Sequence, residues 1–424
     1  MIGVREKLSL YNFLMALPVA GDAFLLDRLG QLILVDGGSS STRLLQELSN
    51  VNVKHLDIVV CTHADRDHAG GLVDLLDKPN SRITVSEFWL PGSWAESLPI
   101  LISDPGSVVD ELIETLDSWG EVKAWNRGSD RLNKYLHETV SNERREYRSA
   151  ISRRDKTAIS SRDELTENEG LPREWFANGD GGRNTRREGR EAFERGRERI
   201  LRKHMFGEVR IEAARFWVGL IDTAERIRKI ALQAHRHKAL VRWFDYGEFA
   251  KAGLASGGER ELLIPLNSVE LRSPPPPPLD LTYFNRLTPV NEECLVFVSP
   301  PPSDHPSWPI SVVFTGDSPL GDGIDYAESW LDWPTGVSNW VVATAPHHGS
   351  ESNSAAYRHL LSKAEVLLWV RSGGTSRHPG DTYRSISNQR RICTHCPRSN
   401  LPRMAAMVTL GSLTLRTHGH FCSC

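Results

Sequence analysis

The sequence predicts an α/β fold in which short buried strands end in loops with metal-capable side chains. Short apolar runs rich in Val and Ile are typical of strands buried in a sheet. Several of these runs are followed at once by Asp or His. Side chains placed repeatedly just past the ends of strands meet along one edge of a sheet, where a rigid scaffold can aim them. The pattern therefore predicts a site on that edge.

The densest cluster of ligand types follows the apolar run Leu56–Val60. Its metal-capable side chains are His63, Asp65, Asp67 and His68. Residues 69–77 behind them are predicted to begin a helix. Polar surface loops also carry His and Asp, but two His and two Asp so close together, between a strand and Gly-Gly, indicate a binuclear metal site. Imidazole favours zinc, and each added carboxylate favours harder ions such as manganese.

Three downstream segments supply the ligands that a two-metal site still needs. Each lies just past an apolar run that reads as a strand: Asp317 after Val312–Phe314, His347 and His348 after Trp340–Thr344, and His378 after Val366–Val370. His378 is predicted to be a remaining ligand or a proton donor. The sequence therefore predicts two divalent ions, zinc or manganese, at one site.

Such a site predicts hydrolysis, because paired divalent ions lower the pKa of a water and neutralise charge on an attacked oxygen. Asp67 or Asp317 can orient the attacking group. An imidazole from His347, His348 or His378 can protonate the leaving oxygen, a role worth roughly 10²- to 10⁴-fold. Two further side chains, Ser350 and Asn353, are predicted either to hydrogen-bond the substrate or to act as a helix cap and a surface residue.

The motif H-x-D-x-D-H at 63–68 resembles the signature motif of the metallo-β-lactamase fold. Within that superfamily it resembles the metallo-hydrolase domain of ComEC-type DNA-uptake proteins. The usual motif has His where Asp65 stands. Further similarity lies in the segments 21–23, 32–38, 315–317 and 346–350, so that the resemblance covers roughly residues 10–100 and 260–420. It implies an αββα sandwich, two mixed sheets face to face with helices outside.

The resemblance also implies roles for individual residues. His63 and Asp65 would hold one metal, and Asp67 and His68 the other. Asp317 would bridge them, and either His347 or His348 would complete the set. Asp36 corresponds to an acid that orients the ligand loop through hydrogen bonds. The equal alternative for Asp36 is an ordinary turn residue in VDGG.

At 424 residues the chain is longer than a usual single core. We predict a catalytic domain from 1–100 and 260–424, interrupted by a helical, Arg-rich insertion at 101–259. Apolar positions at helical spacing lie at 107–119 and 206–240. Residues 390–424 form a Cys-rich C-terminal element.

The substrate class is predicted from charge and resemblance. The net charge of -3 gives no global basic field. Residues 127–204 contain 20 Lys or Arg and 15 Asp or Glu. Arginine grips phosphate oxygens in pairs, but interleaved acids also fit a solvated helix, which is slightly favoured. The prediction is a phosphodiesterase or nuclease acting on nucleic acid or another phosphodiester, and a bacterial defence effector. The alternatives are a small-molecule ester or lactone hydrolase, or a partner-gated assembly component that binds protein through the insertion.

The six cysteines divide into two groups. Cys61 and Cys294 lie in apolar runs and are predicted to be small core residues. The others are predicted to hold one structural zinc, with two disulfides as the alternative: Cys393, Cys396, Cys422 and Cys424. The sequence has no apolar signal region and no apolar stretch of about 20 residues. A cytoplasmic location without a membrane partner is therefore predicted.

Overall fold

The computed structural model describes residues 12–79, 81–119, 139–148, 171–176, 183–275, 281–303, 309–375, 377–396, 403–410, 415–419 and 421–424. Contacts divide the chain into two compact units. One comprises Met1–Pro91, Arg242–Glu270 and Asn291–Cys424, and the other comprises Gly92–Val241 and Leu271–Val290. The predicted insertion ended at residue 259, whereas 242–259 group here with the sheets. The assignment of these parts as domains stays a prediction.

Nine strands form the larger sheet within the described ranges, in the order β17-β16-β1-β2-β3-β4-β5-β6-β8. Pairing is antiparallel from β17 to β3 and parallel from β3 to β5. The strands are β1 (Phe13–Ala16), β2 (Phe24–Arg28), β3 (Gln31–Val35), β4 (His55–Val60), β5 (Thr84–Pro91), β6 (Leu240–Asp245), β8 (Val269–Leu271), β16 (Ala406–Thr409) and β17 (Arg416–His418).

Six strands form the second sheet in the described part of the chain, in the order β15-β14-β13-β10-β9-β7. Pairing is parallel from β15 to β10 and antiparallel from β10 to β7. The strands are β7 (Ile264–Pro265), β9 (Phe297–Ser299), β10 (Ser311–Phe314), β13 (Trp340–Thr344), β14 (Glu365–Arg371) and β15 (Arg391–Cys393). A separate pair joins β11 (Gly321–Asp322) to β12 (Glu328–Ser329).

One apolar core joins the two sheets. It contains side chains from both, including Phe24 and Ile33 from the larger sheet and Val312 and Val370 from the second. At one end Trp89 stacks on Phe244 at 4.8 Å between ring centroids. The second sheet has its own apolar cluster on another face, where Tyr357 of α11 (Ser354–Leu361) contacts Trp369. The molecule is therefore a mixed α/β protein in which side chains from two sheets share a core.

The parallel strands bring their carboxyl ends to common edges of the sheets. β3 and β4 run parallel in the larger sheet, and β10, β13 and β14 run parallel in the second. The predicted strands before His63, Asp317, His347 and His378 are all present, with bounds within one residue of the apolar runs, and Asp36 directly follows β3. The ends of these strands therefore supply the loops from which a site can be built.

The predicted helix at 69–77 is wrong. α2 (Arg66–Ala69) is a single turn, and residues 70–78 form turns. The Gly-Gly pair allows a close backbone approach, since a Cβ at Gly71 would lie 1.8 Å from the carbonyl oxygen of Gly37. Asp74 then adopts a positive φ of 57°, which stops helix propagation. Close packing of backbone against backbone outweighs the apolar periodicity here.

The second unit consists mainly of helices. One helix covers the predicted stretch 107–119, and another covers 211–236 of the predicted stretch 206–240, whose two ends are not helical. Trp217 is fully buried against Phe284, 5.2 Å between ring centroids. The helices of this unit are α3 (Gly92–Ala95), α4 (Leu98–Ser103), α5 (Pro105–Trp119), α6 (139–148), α7 (Arg183–Met205), α8 (Ile211–Arg236) and α10 (Tyr283–Leu287).

Three short helices of the first unit remain: α1 (Ser41–Asn50), α9 (Tyr246–Ala252) and α12 (Asp381–Ser385). The side chain of Ser40 caps α1 by accepting a hydrogen bond from Arg43 N, and Asp245 caps α9 in the same way through Glu248 N. None of the helices in the described ranges has the length and apolar character needed to cross a membrane.

Candidate metal centre

The predicted ligand side chains come together at one edge of the first unit. They lie on loops that follow the three strands β4, β10 and β13, and backbone hydrogen bonds tie these loops to each other and to the loop after β3. His347 N donates to Gly316 O at 2.9 Å, which ties the loop after β13 to the loop after β10. Gly37 N donates to His68 O at 2.7 Å, which ties the loop after β3 to the 63–68 segment. The loops therefore hold one another in place.

The 63–68 segment lies against the turn before β2. Asp22 N donates to Asp67 O at 2.8 Å, and Gly21 has a φ of +94°. A Cβ at Gly21 would lie 1.9 Å from Asp67 O. Glycine is required here both for the left-handed backbone and for the close approach. This contact fixes the backbone that carries Asp67 and His68.

One group of possible ligands comprises His63, Asp65 and Asp317, whose ligand atoms lie within 4.8 Å of one another. His63 Nε2 is 3.6 Å from Asp65 Oδ2 and 3.7 Å from Asp317 Oδ2. Asp65 stands at the N-cap position of α2 but makes no side-chain capping bond. Its carboxylate is therefore available on the side of His63.

A second group comprises Asp22, His68, Asp317 and His348, all buried. His68 Nε2 is 3.1 Å from Asp317 Oδ1, and His348 Nδ1 is 2.9 Å from Asp22 Oδ1. Asp67 reaches the same group from its half-exposed position, with Oδ2 3.0 Å from His348 Nε2. Asp317 belongs to both groups, with one oxygen towards His68 and the other towards His63. It could therefore bridge two cations.

Both histidines of the 346–349 turn face this centre. His348 is buried and contacts Asp67, whereas His347 is partly exposed and its Nε2 is 3.4 Å from Asp317 Oδ2. Their φ angles of 47° and 54° are unusual for residues with side chains. Strained backbone of this kind persists only where the surrounding contacts impose it. Sequence alone left the two histidines as alternatives, whereas the structure brings both to Asp317 or Asp67.

Asp36 lies behind His68 and is fully buried. Its Oδ2 is 2.8 Å from His68 Nδ1 and accepts a hydrogen bond from Thr62 Oγ1 at 2.7 Å. Its Oδ1 accepts from Thr62 N at 2.8 Å. A carboxylate on Nδ1 fixes the tautomer that leaves Nε2 free for a cation. Asp36 also has a positive φ of 60°, as a turn residue in VDGG would, so both readings describe its position and the orienting role stays a prediction.

Charge at the centre is balanced between carboxylates and imidazoles. Burial alone would raise the pKa of Asp317, but the imidazoles of His347 and His68 hold it well below its ordinary value. Burial opposes protonation of His68, yet Asp317 and Asp36 outweigh it and raise its pKa well above 6.5. The carboxylates are therefore ionised and attract positive charge, which protons or divalent cations can supply.

The donor set fits divalent cations. His63 Nε2, His68 Nε2 and Asp317 Oδ1 are buried and have no hydrogen-bond partner among the described residues. His68 Nε2 and Asp317 Oδ1 are close to each other but are not in hydrogen-bond geometry. Buried polar atoms without partners are costly and rare in folded proteins. Cations coordinated by these atoms would remove that cost, and imidazole with carboxylate suits zinc and manganese.

The remaining predicted site residues have different positions. Asn353 is buried, its Oδ1 is 3.2 Å from His347 Nδ1 and its Nδ2 donates to Asp317 O at 2.8 Å, so the alternative that made it a surface residue is wrong. Ser350 accepts from Ser352 N and caps the short helix Glu351–Asn353. His378 is half-buried, with its ring centroid 5.8 Å from those of His347 and His348.

Two residues at the centre were not among the predicted site residues. Asp22 contacts His348, and Cys294 Sγ is 3.5 Å from His63 Nδ1 and accepts a hydrogen bond from Asp317 N at 3.2 Å. Cys294 is buried, as predicted, but it supports the site as well as filling space. Asp22 lies in segment 21–23 of the sequence resemblance, and that resemblance could have identified it as a site residue. No local pattern marks Cys294.

We expect Asp36→Asn to weaken cation binding roughly 10- to 100-fold. The reason is that an amide has one acceptor oxygen and cannot accept hydrogen bonds from His68 Nδ1 and Thr62 as the carboxylate does. Isothermal titration of zinc into metal-free protein measures the effect. Asp57→Asn is the matched control, since Asp57 also accepts a backbone hydrogen bond, from Leu32 N at 2.8 Å, but lies on β4 away from the ligands. Equal affinities for both variants would contradict the orienting role.

The fold and this centre define a mixed α/β protein with side chains that could hold two metal ions. A family model for the metallo-beta-lactamase superfamily matches residues 16–123, which include Asp22, Asp36 and the 63–68 motif. Members of that superfamily are typically metal-dependent hydrolases. The match ends before Asp317, His347 and His348. No curated protein matches the chain.

Proposed function

We propose that the protein is a metal-dependent phosphodiesterase built on an αββα sandwich of the metallo-β-lactamase type. The observation that carries the proposal is the shared carboxylate: Asp317 belongs to both groups of ligand atoms, one with His63 and one with His68. Two cations joined by one carboxylate suit phosphodiesters, whose attacking and leaving oxygens can then both be stabilised. Zinc and manganese are the candidate ions.

The distances support one assignment of the ligands. His63, Asp65 and Asp317 would hold the first cation, with His347 beside them. His68, Asp67, Asp317 and His348 would hold the second. Asp22 would then orient His348 through Nδ1, as Asp36 orients His68. This assignment uses both histidines of the turn.

When bound, the cations act as Lewis acids and lower the pKa of water towards neutrality. The chain supplies orientation and hydrogen bonds. Asp67 is half-exposed at the centre and would accept a hydrogen bond from the attacking water. Burial and the neighbouring His348 and His347 lower the pKa of His378 to about 4, so His378 is neutral at pH 7. Thr375 N donates to its Nδ1 at 3.0 Å, so the neutral ring carries its hydrogen on Nε2 and would donate a hydrogen bond to the leaving oxygen without giving up that proton.

Nucleic acid is the proposed substrate class, and the supporting observation is the H-x-D-x-D-H motif with its resemblance to the ComEC-type branch. The basic side chains of α7 give little further support, because acids neutralise many of them. The pairs include Arg187 with Glu191, Arg190 with Glu194, Arg197 with Asp222 and Glu225, Arg199 with Asp110, Arg202 with Glu198, and Lys203 with Asp117. A cytoplasmic location, a protein partner and a bacterial defence role stay predictions.

The paired arginines favour a second candidate, a hydrolase of small esters or lactones. Such a substrate needs no extended basic surface, because only the reacting group must reach the cations. Cations held by the ligands at the centre would polarise carbonyl and phosphoryl oxygens alike. The two candidates therefore differ in substrate and not in the machinery at Asp317.

The test compares wild type with Asp67→Ala on bis-p-nitrophenyl phosphate, plasmid DNA, single-stranded DNA, RNA and p-nitrophenyl acetate, with zinc or manganese added. We expect phosphodiester cleavage that depends on metal and falls at least about 10²-fold in the variant. Asp381→Ala is the control, because its side chain is 93% exposed. Cleavage of the acetate alone would select the ester hydrolase, and no cleavage of any substrate would refute both candidates.

A further inference from the structure

A second cluster of metal-capable side chains lies apart from the candidate metal centre. Its members are Cys393, Cys396, Cys422 and Cys424, the cysteine cluster, whose sulfur atoms all lie within 4.8 Å of one another. None of them forms a disulfide. Cys393, Cys396 and Cys422 belong to the apolar cluster of the second sheet and are buried, and Cys424 packs against it. Four thiols are therefore enclosed together.

The sulfur positions fit a tetrahedral ion. Zn–S bonds of about 2.3 Å in a tetrahedron place the sulfurs about 3.8 Å apart. Cys396 Sγ is 3.3 Å from Cys424 Sγ and 4.0 Å from Cys422 Sγ. Cys396 thus lies close to the sulfurs of both Cys422 and Cys424, whereas two separate disulfides would pair each sulfur with one partner. The arrangement favours one centre shared by all four.

Hydrogen bonds around the cluster support thiolate rather than thiol. Ser423 N donates to Cys396 Sγ at 3.3 Å, and Ser423 Oγ donates to the same sulfur at 3.6 Å. Donors aimed at sulfur stabilise the charged form that binds metal.

Two buried guanidinium groups adjoin the cluster. Arg371 is 2% exposed with Nη1 3.7 Å from Cys424 Sγ, and Arg391 is 5% exposed with Nη1 3.4 Å from Cys424 O. The partners of Arg371 in the described part of the chain are backbone oxygens and the Cys424 sulfur, and no side-chain carboxylate is among them. A buried cation without a counter-charge is strongly disfavoured. Four thiolates around a divalent ion carry a net charge of about -2, which supplies the missing counter-charge.

We propose that the cysteine cluster binds one zinc ion that fastens the segment 421–424 to the end of β15. Binding releases the thiol protons to solvent. The fastened segment already makes backbone contacts there, since Cys422 N donates to Arg391 O at 2.7 Å and Phe421 bridges Ile392. Such short contacts are weak alone, and a closed tetrahedral site adds the free energy that holds them.

The same zinc site would position a turn of the candidate metal centre, a step that rests on the proposed function. Arg371 Nε donates to His348 O at 2.8 Å, while its Nη1 faces Cys424. Arg371 therefore spans from the cysteine cluster to the backbone of His348, whose φ is 54°. Arg371 is a positioning residue, because it acts through the turn and touches no predicted reacting atom.

The first experiment measures metal and thiols in the full-length chain. Asp317→Ala removes the shared ligand of the candidate metal centre, so zinc that remains bound reports on the cysteine cluster. We expect this variant to retain one zinc ion per chain and, after exchange with cobalt, to show the sulfur-to-cobalt charge-transfer absorption of a tetrahedral thiolate site. Adding Cys393→Ser and Cys422→Ser should remove both signals, and adding Cys61→Ser should remove neither.

The zinc proposal is overturned if Asp317→Ala retains no zinc, or if thiol titration of the denatured chain finds four of the six cysteines oxidised. Should the double serine variant not fold, mercurial titration of Asp317→Ala replaces it. Zinc must then be released in step with the loss of four thiols, and release without thiol loss refutes the site. These readouts do not use hydrolysis, so they stand even if the proposed function fails.

Arg371→Met tests the positioning step. We expect the cobalt–thiolate absorption to persist while the candidate metal centre binds zinc roughly 10- to 100-fold more weakly, because the His348 turn loses its anchor. Arg371→Lys keeps the charge beside Cys424 and should recover part of that affinity. Unchanged zinc affinity in Arg371→Met would refute the positioning role and leave the zinc site itself intact.

Discussion

Asp317→Ala is expected to abolish binding of both cations and to lower hydrolysis by about 10³-fold or more. The two carboxylate oxygens of Asp317 face different groups of ligands: Oδ1 lies 3.1 Å from His68 Nε2, and Oδ2 lies 3.7 Å from His63 Nε2. Loss of Lewis-acid stabilisation costs several kcal/mol, and 1.36 kcal/mol corresponds to a tenfold change in rate. Elemental analysis after dialysis, together with initial rates on the active substrate, measures the two effects.

The matched control is Asp322→Ala, an exposed acid five residues further along the chain. It should keep the metal content and the rate of wild type. A second comparison uses Asp65→Ala, which belongs only to the group around His63. That variant should lose one cation while Asp317→Ala loses two. If both variants lose the same amount of metal, Asp317 is not a shared ligand.

Phe297→Ala is expected to destabilise the fold by about 3–5 kcal/mol, the range for truncating a buried aromatic residue. Phe297 lies on β9 of the second sheet and is fully buried. Its ring contacts Phe244 and Trp89 of the larger sheet, with ring centroids 5.3 Å and 5.7 Å away. The substitution therefore opens a cavity in the core that the two sheets share. Urea unfolding followed by tryptophan fluorescence measures the loss.

Two variants calibrate that result. Phe206→Ala removes the same atoms from a side chain that is 78% exposed and should change stability by less than about 0.5 kcal/mol. Phe297→Leu leaves most of the volume filled and should cost much less than alanine. A Phe297→Ala midpoint equal to that of Phe206→Ala would contradict the shared core.

The strands that carry the candidate site could be predicted because each is a short apolar run that is followed closely by Asp or His. Trp340–Thr344 has the bounds that the sequence indicates, and the run before His63 differs by one residue. Parallel buried strands read as continuous apolar runs, so their signal is local. Three of the loops that follow them carry His63, Asp317 and His347.

The parts that could not be predicted depend on contacts between distant segments. Asp22 reaches His348 across 326 residues, and Arg371 reaches Cys424 across 53. No periodicity reports such contacts. The helix expected after Ala69 fails for a related reason, because Gly70 and Gly71 pack on the backbone of 37–39, which local propensity does not register. The sequence left a surface position open as one alternative for Asn353, because its buried partners, His347 and Asp317, lie on other elements.

The pairing of β1 with β16 has a consequence for the order of events during synthesis. Phe13 lies opposite Thr409 and Ala16 opposite Ala406, so β1 is synthesised well before the partner strand, which lies 390 residues further along the chain. Pairing between segments so far apart in the chain is slow, because a long loop must close before any contact forms. A nascent chain that stops short of residue 406 therefore exposes the open edge of β1, a template for pairing with another chain.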